Sequence, residues 1–215
     1  MSGAVRDSVK GIDSIEANKP YEKPISGAME PVSAILIAKL MKYGDDKSKQ
    51  KLLQEVVNDE RFKIIDLGLH TDAKTTIFPG SKISSNRKNT LEIAKDLNNR
   101  NISVYFLPES DTLRSADAII EYKGRLIIAD FKYSTSTKNK TIYTDLRDGF
   151  GKSQMVVLKA RKADRGVLSK SIDELARKNK ITGDLLLINR LGKEKLVKKE
   201  RLINGKYTND IRGFL

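Results

Sequence analysis

The stretch Asp117-Ala-Ile-Ile-Glu-Tyr-Lys-Gly-Arg-Leu-Ile-Ile-Ala-Asp130-Phe-Lys132 decides the fold. Two apolar, isoleucine-rich runs flank the pair Lys123-Gly124. Such runs around a two-residue turn predict a β-hairpin, because glycine supplies the positive φ that the turn requires. A two-residue turn also fixes the register. Tyr122 is expected opposite Arg125, Glu121 opposite Leu126, and Asp117 opposite Asp130. Side chains alternate along a strand, so Asp130 and Lys132 share one face while Ile127, Ala129 and Phe131 occupy the other.

Working outward, Arg87–Asn99 reads as a helix with Leu91, Ala94 and Leu97 on one side, and Ile102–Leu107 reads as a strand. Beyond the hairpin, a helix is expected over Asp145–Gln154 and a strand over Met155–Leu158. A helix over Ser169–Lys178 and strands over Leu185–Asn189 and Lys195–Lys198 complete the pattern. The order α-β-β-β-α-β with additions predicts an α/β protein with a mixed central sheet flanked by helices.

Upstream, residues 1–30 are polar, hold Pro20, Pro24 and Gly27, and read as a flexible leader. Residues 31–61 read as a small helical accessory region: one helix from Pro31, a break at Gly44, and a second helix from Asp46 carrying Leu52, Leu53, Val56 and Val57. Residues 62–215 form the main domain, with its core at about 86–158. Between them, 62–83 reads as loop with one short strand near Phe62–Leu67.

Composition narrows the chemistry. The chain of 215 residues has no cysteine and one histidine, His70. Thiolate zinc sites, cysteine nucleophiles and paired-histidine metal sites are excluded. The formal net charge of +13 points to a polyanionic partner, nucleic acid or an anionic membrane surface. No segment reaches the roughly 20 apolar residues of a membrane span.

Carboxylates, lysine and metal remain. Two aspartates facing each other across a hairpin repel unless a cation lies between them. A hard divalent cation with Asp117 and Asp130 as oxygen ligands would serve, Mg²⁺ first, with Mn²⁺ or Zn²⁺ as substitutes. Lys132 beside it could stabilise developing negative charge. An acid followed two residues later by lysine also occurs at Asp45–Lys47, Asp72–Lys74 and Glu121–Lys123. Only Asp130–Lys132 both ends an apolar strand and faces a second aspartate. An ordinary edge hairpin with solvated charges is the alternative.

On these residues the chain resembles the PD-(D/E)XK-type nucleases. More narrowly, it resembles the toxic C-terminal nuclease domains of contact-dependent growth inhibition proteins and other polymorphic toxins. The likeness runs from about Asn89 to Leu158. It is carried by Glu92-Ile-Ala94 to Leu97, Val104–Leu107 with Pro108-Glu109, Ser115–Ile120, Ala129–Lys132, and Gly151-Lys-Ser-Gln154 leading into Val156-Val-Leu158. The resemblance implies a restriction-endonuclease-like core, metal binding by Asp117 and Asp130, and assistance from Lys132. Gln154 would contact substrate or order the site. The family's helix glutamate falls at Thr90 here. Glu92 is the nearest acid and the candidate catalytic carboxylate in its place, with Glu109 a weaker substitute, although two residues along a helix is about 200° around it, away from the Leu91/Ala94/Leu97 side. The resemblance further implies a bacterial endonuclease cutting tRNA, with DNA as the other substrate. It implies a neutralising immunity protein, and action in the cytoplasm after delivery into a target cell.

Lys138, Lys140, Arg147 and Lys152 are candidate phosphate contacts, with Lys159 and Arg161 beside them. Tyr133, Tyr143 and Phe150 could stack on unpaired bases or simply pack. Two further readings stand beside a nuclease: a nucleic-acid-binding module without catalysis, and a docking protein that uses residues 1–61.

Overall fold

The computed structural model of the chain describes residues 45–78, 87–107 and 116–214. The expected leader and the helix from Pro31 lie outside the described residues, as do Pro108-Glu109 and Ser115.

The decisive hairpin forms as its turn dictates. Strand β4, Ala118–Tyr122, pairs antiparallel with β5, Arg125–Ser134. Lys123 and Gly124 both take positive φ, 52° and 73°, the signature of the tight turn that matches strand twist. Tyr122 faces Arg125, Glu121 faces Leu126 and Ala118 faces Ala129, which is the expected register.

The hairpin is the middle of an eight-stranded mixed sheet whose strands lie in chain order. On one side, β3 (Ser103–Phe106) runs antiparallel to β4 and parallel to β2 (Thr75–Ile77), and β1 (Lys63–Ile65) forms the edge. On the other, β6 (Met155–Ala160) and β7 (Asp184–Ile188) follow parallel to β5, and β8 (Glu194–Val197) turns back antiparallel. The fold is α/β, a mixed sheet flanked by helices.

Parallel neighbours need crossovers, and helices supply them. Helix α2, Arg87–Asn98, links β2 to β3. Helix α3, Asn139–Phe150, links β5 to β6, and α4, Arg165–Arg177, links β6 to β7. On one face Ile93, Ala94 and Leu97 of α2 bury Val104, Ala118, Ile120, Ala129, Val157 and Leu186. On the opposite face Ile142, Leu146 and Phe150 of α3 and Leu168, Ile172 and Leu175 of α4 cover Val156, Leu158, Leu185 and Leu187. The short helices α5 (Lys199–Ile203) and α6 (Thr208–Ile211) close that side through Leu202, Tyr207 and Ile211.

Helix α1, Asp46–Val57, is part of the same packing. Its Leu53 and Val56 lie on Ile119, Leu126 and Ile128, over the turn half of the hairpin. There β5 extends beyond β6, and its outer backbone groups need partners. Gln50 of α1 supplies them at Leu126, accepting from its N–H (3.0 Å) and donating to its C=O (2.7 Å).

Two expectations shift. The helix expected over Asp145–Gln154 occupies Asn139–Phe150, a turn and a half earlier, so Lys140 is helical and Lys138 is its N-cap residue rather than loop. The region expected to be mainly loop holds a second strand, β2. Among the described residues no helix is long and apolar enough to cross a membrane.

Candidate active site

Asp117 extends the ladder one residue past β4. Its N–H donates to Ala129 O (3.2 Å) and its C=O accepts from Leu107 N (3.0 Å). The register, continued one step from Ala118–Ala129, sets Asp117 across from Asp130. Asp117 Oδ2 accepts from Phe131 N at 2.7 Å, which pins the side chain against β5. Burial, and then the negative charge of Asp130, push the Asp117 carboxyl up to about 6 from an ordinary 3.8.

Asp130 is the buried centre, its side chain 0% exposed. Its Oδ1 accepts from Lys152 Nζ at 3.2 Å. Its Oδ2 lies 2.8 Å from Lys132 Nζ, yet takes no hydrogen bond of acceptable angle. Both lysine side chains are 19% exposed, so each ammonium reaches from the site's mouth to a wholly buried carboxylate. Burial opposes the charge on Lys132, but the adjacent Asp130 carboxylate outweighs it and holds the ammonium's pKa above the ordinary lysine value.

The helix behind the site is packed tightly. A Cβ at Gly149 of α3 would lie 3.1 Å from Asp130 Oδ2 and 2.8 Å from Val156 Cγ2. Gly149 therefore lets the helix backbone close over the carboxylate. Asp145, half-buried on the same helix, has its carboxyl lifted by burial, against the pull of the Lys132 charge.

Gln154 sits at the start of β6 with its main chain and side chain both on β5. Its N–H donates to Ile128 O (3.0 Å) and its Oε1 accepts from Ile128 N (3.1 Å). Its own C=O accepts from Asp184 N, and a Cβ at Gly183 would fall 2.1 Å from that oxygen. These bonds tie Gln154 to β5 through its main chain and its side-chain oxygen.

Glu92 is not brought to the site. Asp130 pairs with Val156, whose side chain packs under α3, whereas Lys159 points to the α2 face. There Lys159, 3% exposed, is held by Glu92 at 2.7 Å and by Asp96. Arg161 joins the cluster 3.2 Å from Glu92. The helical offset that turns Glu92 away from the Leu91/Ala94/Leu97 side thus places it against these cations, across the sheet from Asp130. Lys159 is withdrawn from substrate contact by the same pairing.

Lys138 and Lys140 are exposed at the start of α3. Arg147 is exposed but bonded to Asp148 at 2.8 Å, with its guanidinium 6.0 Å from the Tyr143 ring. Lys152, expected among the phosphate contacts, is turned inward to Asp130. Phe150 is core, 2% exposed. Sequence reasoning missed Gly149 and Asp145; the signal was the stripe Ile142, Leu146, Phe150 at four-residue spacing, which marks the inward side of α3.

The residues fit a hard divalent cation. Asp130 Oδ2 is a buried oxygen that meets only the Lys132 ammonium, at 2.8 Å, and Asp117 is a carboxyl strained by burial and then by neighbouring negative charge. Among the described residues no three acids or histidines converge closely enough to enclose a metal. Two carboxylates, with water and substrate completing the shell, is the arrangement Mg²⁺ favours, whereas Zn²⁺ usually takes three protein ligands.

No family model matches the chain, and no curated protein does. Among solved structures the chain is similar to the CdiA-CT/CdiI toxin and immunity complex from Burkholderia pseudomallei, at 18% identity and a TM-score of 0.39, over 56% of this chain and 92% of that one.

Proposed function

We propose that this chain is a metal-dependent endonuclease that hydrolyses phosphodiester bonds, with RNA, and tRNA in particular, favoured over DNA. The observation that carries the reading is the pair Asp117 and Asp130 facing across the hairpin, with Lys132 on the buried Asp130. A net charge of +13 supplies the attraction for a polyanion.

A divalent cation held by Asp117 and Asp130 supplies Lewis acidity toward a phosphate oxygen. The chain's own groups do the rest. Lys132, its ammonium stabilised by Asp130, stays protonated at neutral pH and offers hydrogen bonds to the charge that builds on the phosphoryl oxygens. Lys152 holds Asp130 Oδ1 in place, and Gln154 fixes the spacing of β5 and β6 beside it. In hydrolysis a water oxygen bonds to phosphorus, the bond to the leaving sugar oxygen breaks, and that oxygen takes up a proton.

The toxin reading, the immunity partner and delivery into the cytoplasm of a target bacterium rest on the resemblance of residues 89–158 alone. One observation favours a second reading, a nucleic-acid-binding module without catalysis: Glu92 is engaged by Lys159 and Arg161 rather than by the site.

Total tRNA and plasmid DNA incubated with the protein and Mg²⁺, with and without EDTA, test the proposal. Cleavage should require the metal and fall at least about a hundredfold in Asp130→Asn and in Lys132→Ala. Undiminished cleavage by both variants would place the chemistry elsewhere. A mobility shift without cutting would support the binding module.

A further inference from the structure

The two ends of the sheet are charged differently. Strands β5, β6 and β7 run parallel, so the segments that follow them, 135–138, 161–164 and 189–193, emerge at one end. These segments, with the first turns of α3 and α4, carry Lys138, Lys140, Lys162, Arg165, Arg190 and Lys193, all exposed. None of the six forms an ion pair among the described residues. Asp164, the one acid of these stretches, turns its carboxylate to the Val167 N–H, 2.8 Å away, as the N-cap of α4. At the opposite end Arg125, Lys178 and Lys198 are matched by Asp46, Glu174 and Asp184. The backbone that carries the unmatched cations is held in place. Arg161 N donates to Ser134 O (2.9 Å), which ties the segment after β6 to the end of β5. In the turn after β7 the Asn189 side chain accepts from Leu191 N (2.9 Å) and Lys193 N (3.0 Å) and donates to Phe214 O (2.9 Å). Gly192, at φ 73°, seats that turn on α2, where an added Cβ would lie 2.8 Å from Asp96 Oδ1.

We infer that this end of the sheet is a nucleic-acid-binding rim: an RNA backbone engaged at Asp130 and Lys132 continues over the carboxyl ends of β5, β6 and β7. Its link to the site rests on the nuclease reading; the charge asymmetry does not. In open α/β sheets ligands lie outside the carboxyl ends of the strands. Asp130 is four residues, about 13 Å, short of that end of β5. The next two strand ends follow at steps of about 4.8 Å. One phosphate at the segment after β6 and one at the turn after β7, added to Lys138 and Lys140, make about four contacts. The partner that fits is therefore a strand running well past the scissile bond, and a short oligonucleotide reaches only the site itself.

Binding of the full chain to a single-stranded RNA of about 20 nucleotides, followed by fluorescence anisotropy in EDTA across a salt series, tests this. The rim variant Lys162→Gln/Arg165→Gln/Arg190→Gln/Lys193→Gln should flatten the salt slope by about 1.4 and weaken binding at least about tenfold at low salt. Lys123→Gln/Lys178→Gln/Lys180→Gln/Lys198→Gln removes the same charge from the opposite end and should leave the slope unchanged. All eight side chains are exposed, so both variants keep the core intact. Equal flattening by the two variants, or none by the rim variant, overturns the inference. So does a rim variant that keeps its RNA affinity but loses binding to phosphatidylglycerol vesicles, which would make this end a membrane-binding surface. With tRNA as substrate, the rim variant should raise KM. If the wild-type chain shows the rim-dependent slope yet cuts nothing with Mg²⁺ or Mn²⁺, the nuclease reading falls and the rim stands.

Discussion

Asp117 is ionised at neutral pH at a cost to folding. Burial and the charge of Asp130 raise its carboxyl from 3.8 to about 6. An acid whose folded pKa lies above its unfolded one favours folding only while protonated. The contribution is complete below the unfolded value, declines as pH rises from about 4, and is gone above about 6. A shift of about two units corresponds to roughly 3 kcal/mol at most, and solvent at this partly exposed group reduces it. Asp117→Asn keeps an oxygen for the Phe131 N–H and removes the charge. The variant should therefore be more stable than the wild type by about 1–3 kcal/mol at pH 7.5, while losing cleavage. The gap should mostly close by pH 4. Urea unfolding across that range measures it, and a gap that widens toward acid contradicts the account. Mg²⁺ should raise wild-type stability at pH 7.5 and leave Asp117→Asn nearly unchanged.

Helix α3 is where element packing meets the site. Glycine inside a helix costs about 1 kcal/mol relative to alanine, so Gly149→Ala would be stabilising if space allowed. It does not: the new Cβ would sit 2.8 Å from Val156 Cγ2, a buried β-branched side chain with little rotamer freedom. Overpacking of this kind costs about 1–3 kcal/mol, so the variant should be less stable by about 1 kcal/mol or more. Its cleavage should drop beyond what folding explains, because the same Cβ crowds Asp130 Oδ2. Urea titration and cleavage rate at 25 °C check this; equal stability would mean that α3 stands off the sheet.

The same helix shows what sequence could and could not tell. The hairpin was legible because Lys123-Gly124 fixes one register and every residue from Asp117 to Lys132 follows from it. The start of α3 was not, because its N-cap residue is Lys138, which makes no side-chain cap bond, so no capping signal exists. Strand β2 is three residues long and leaves no alternation to read. Lys152 looked like a phosphate contact because sequence reports charge and not direction; only the turn from α3 into β6 points it at Asp130.

At the scale of the whole molecule, the sheet divides the charge. On the α2 face Glu92, Asp96, Lys159 and Arg161 neutralise one another. On the other face, Lys132 and Lys152 are balanced by Asp117 and Asp130. The cations left to meet a polyanion are at the periphery, and Lys138 and Lys140, exposed where α3 begins, are among those carried on the site's own face. Arg147 starts from its bond to Asp148 and should contribute less. Binding to a single-stranded RNA loop through about four phosphates gives a salt slope near −3, or roughly a fiftyfold loss of affinity between 50 and 200 mM salt. Cleavage-deficient Asp130→Asn allows the measurement without turnover. Adding Lys138→Gln and Lys140→Gln should flatten the slope by about 1.4 and weaken binding at low salt more than at high salt. An unchanged slope in that triple variant would move the phosphate path off the α3 end and toward other cations of the surface.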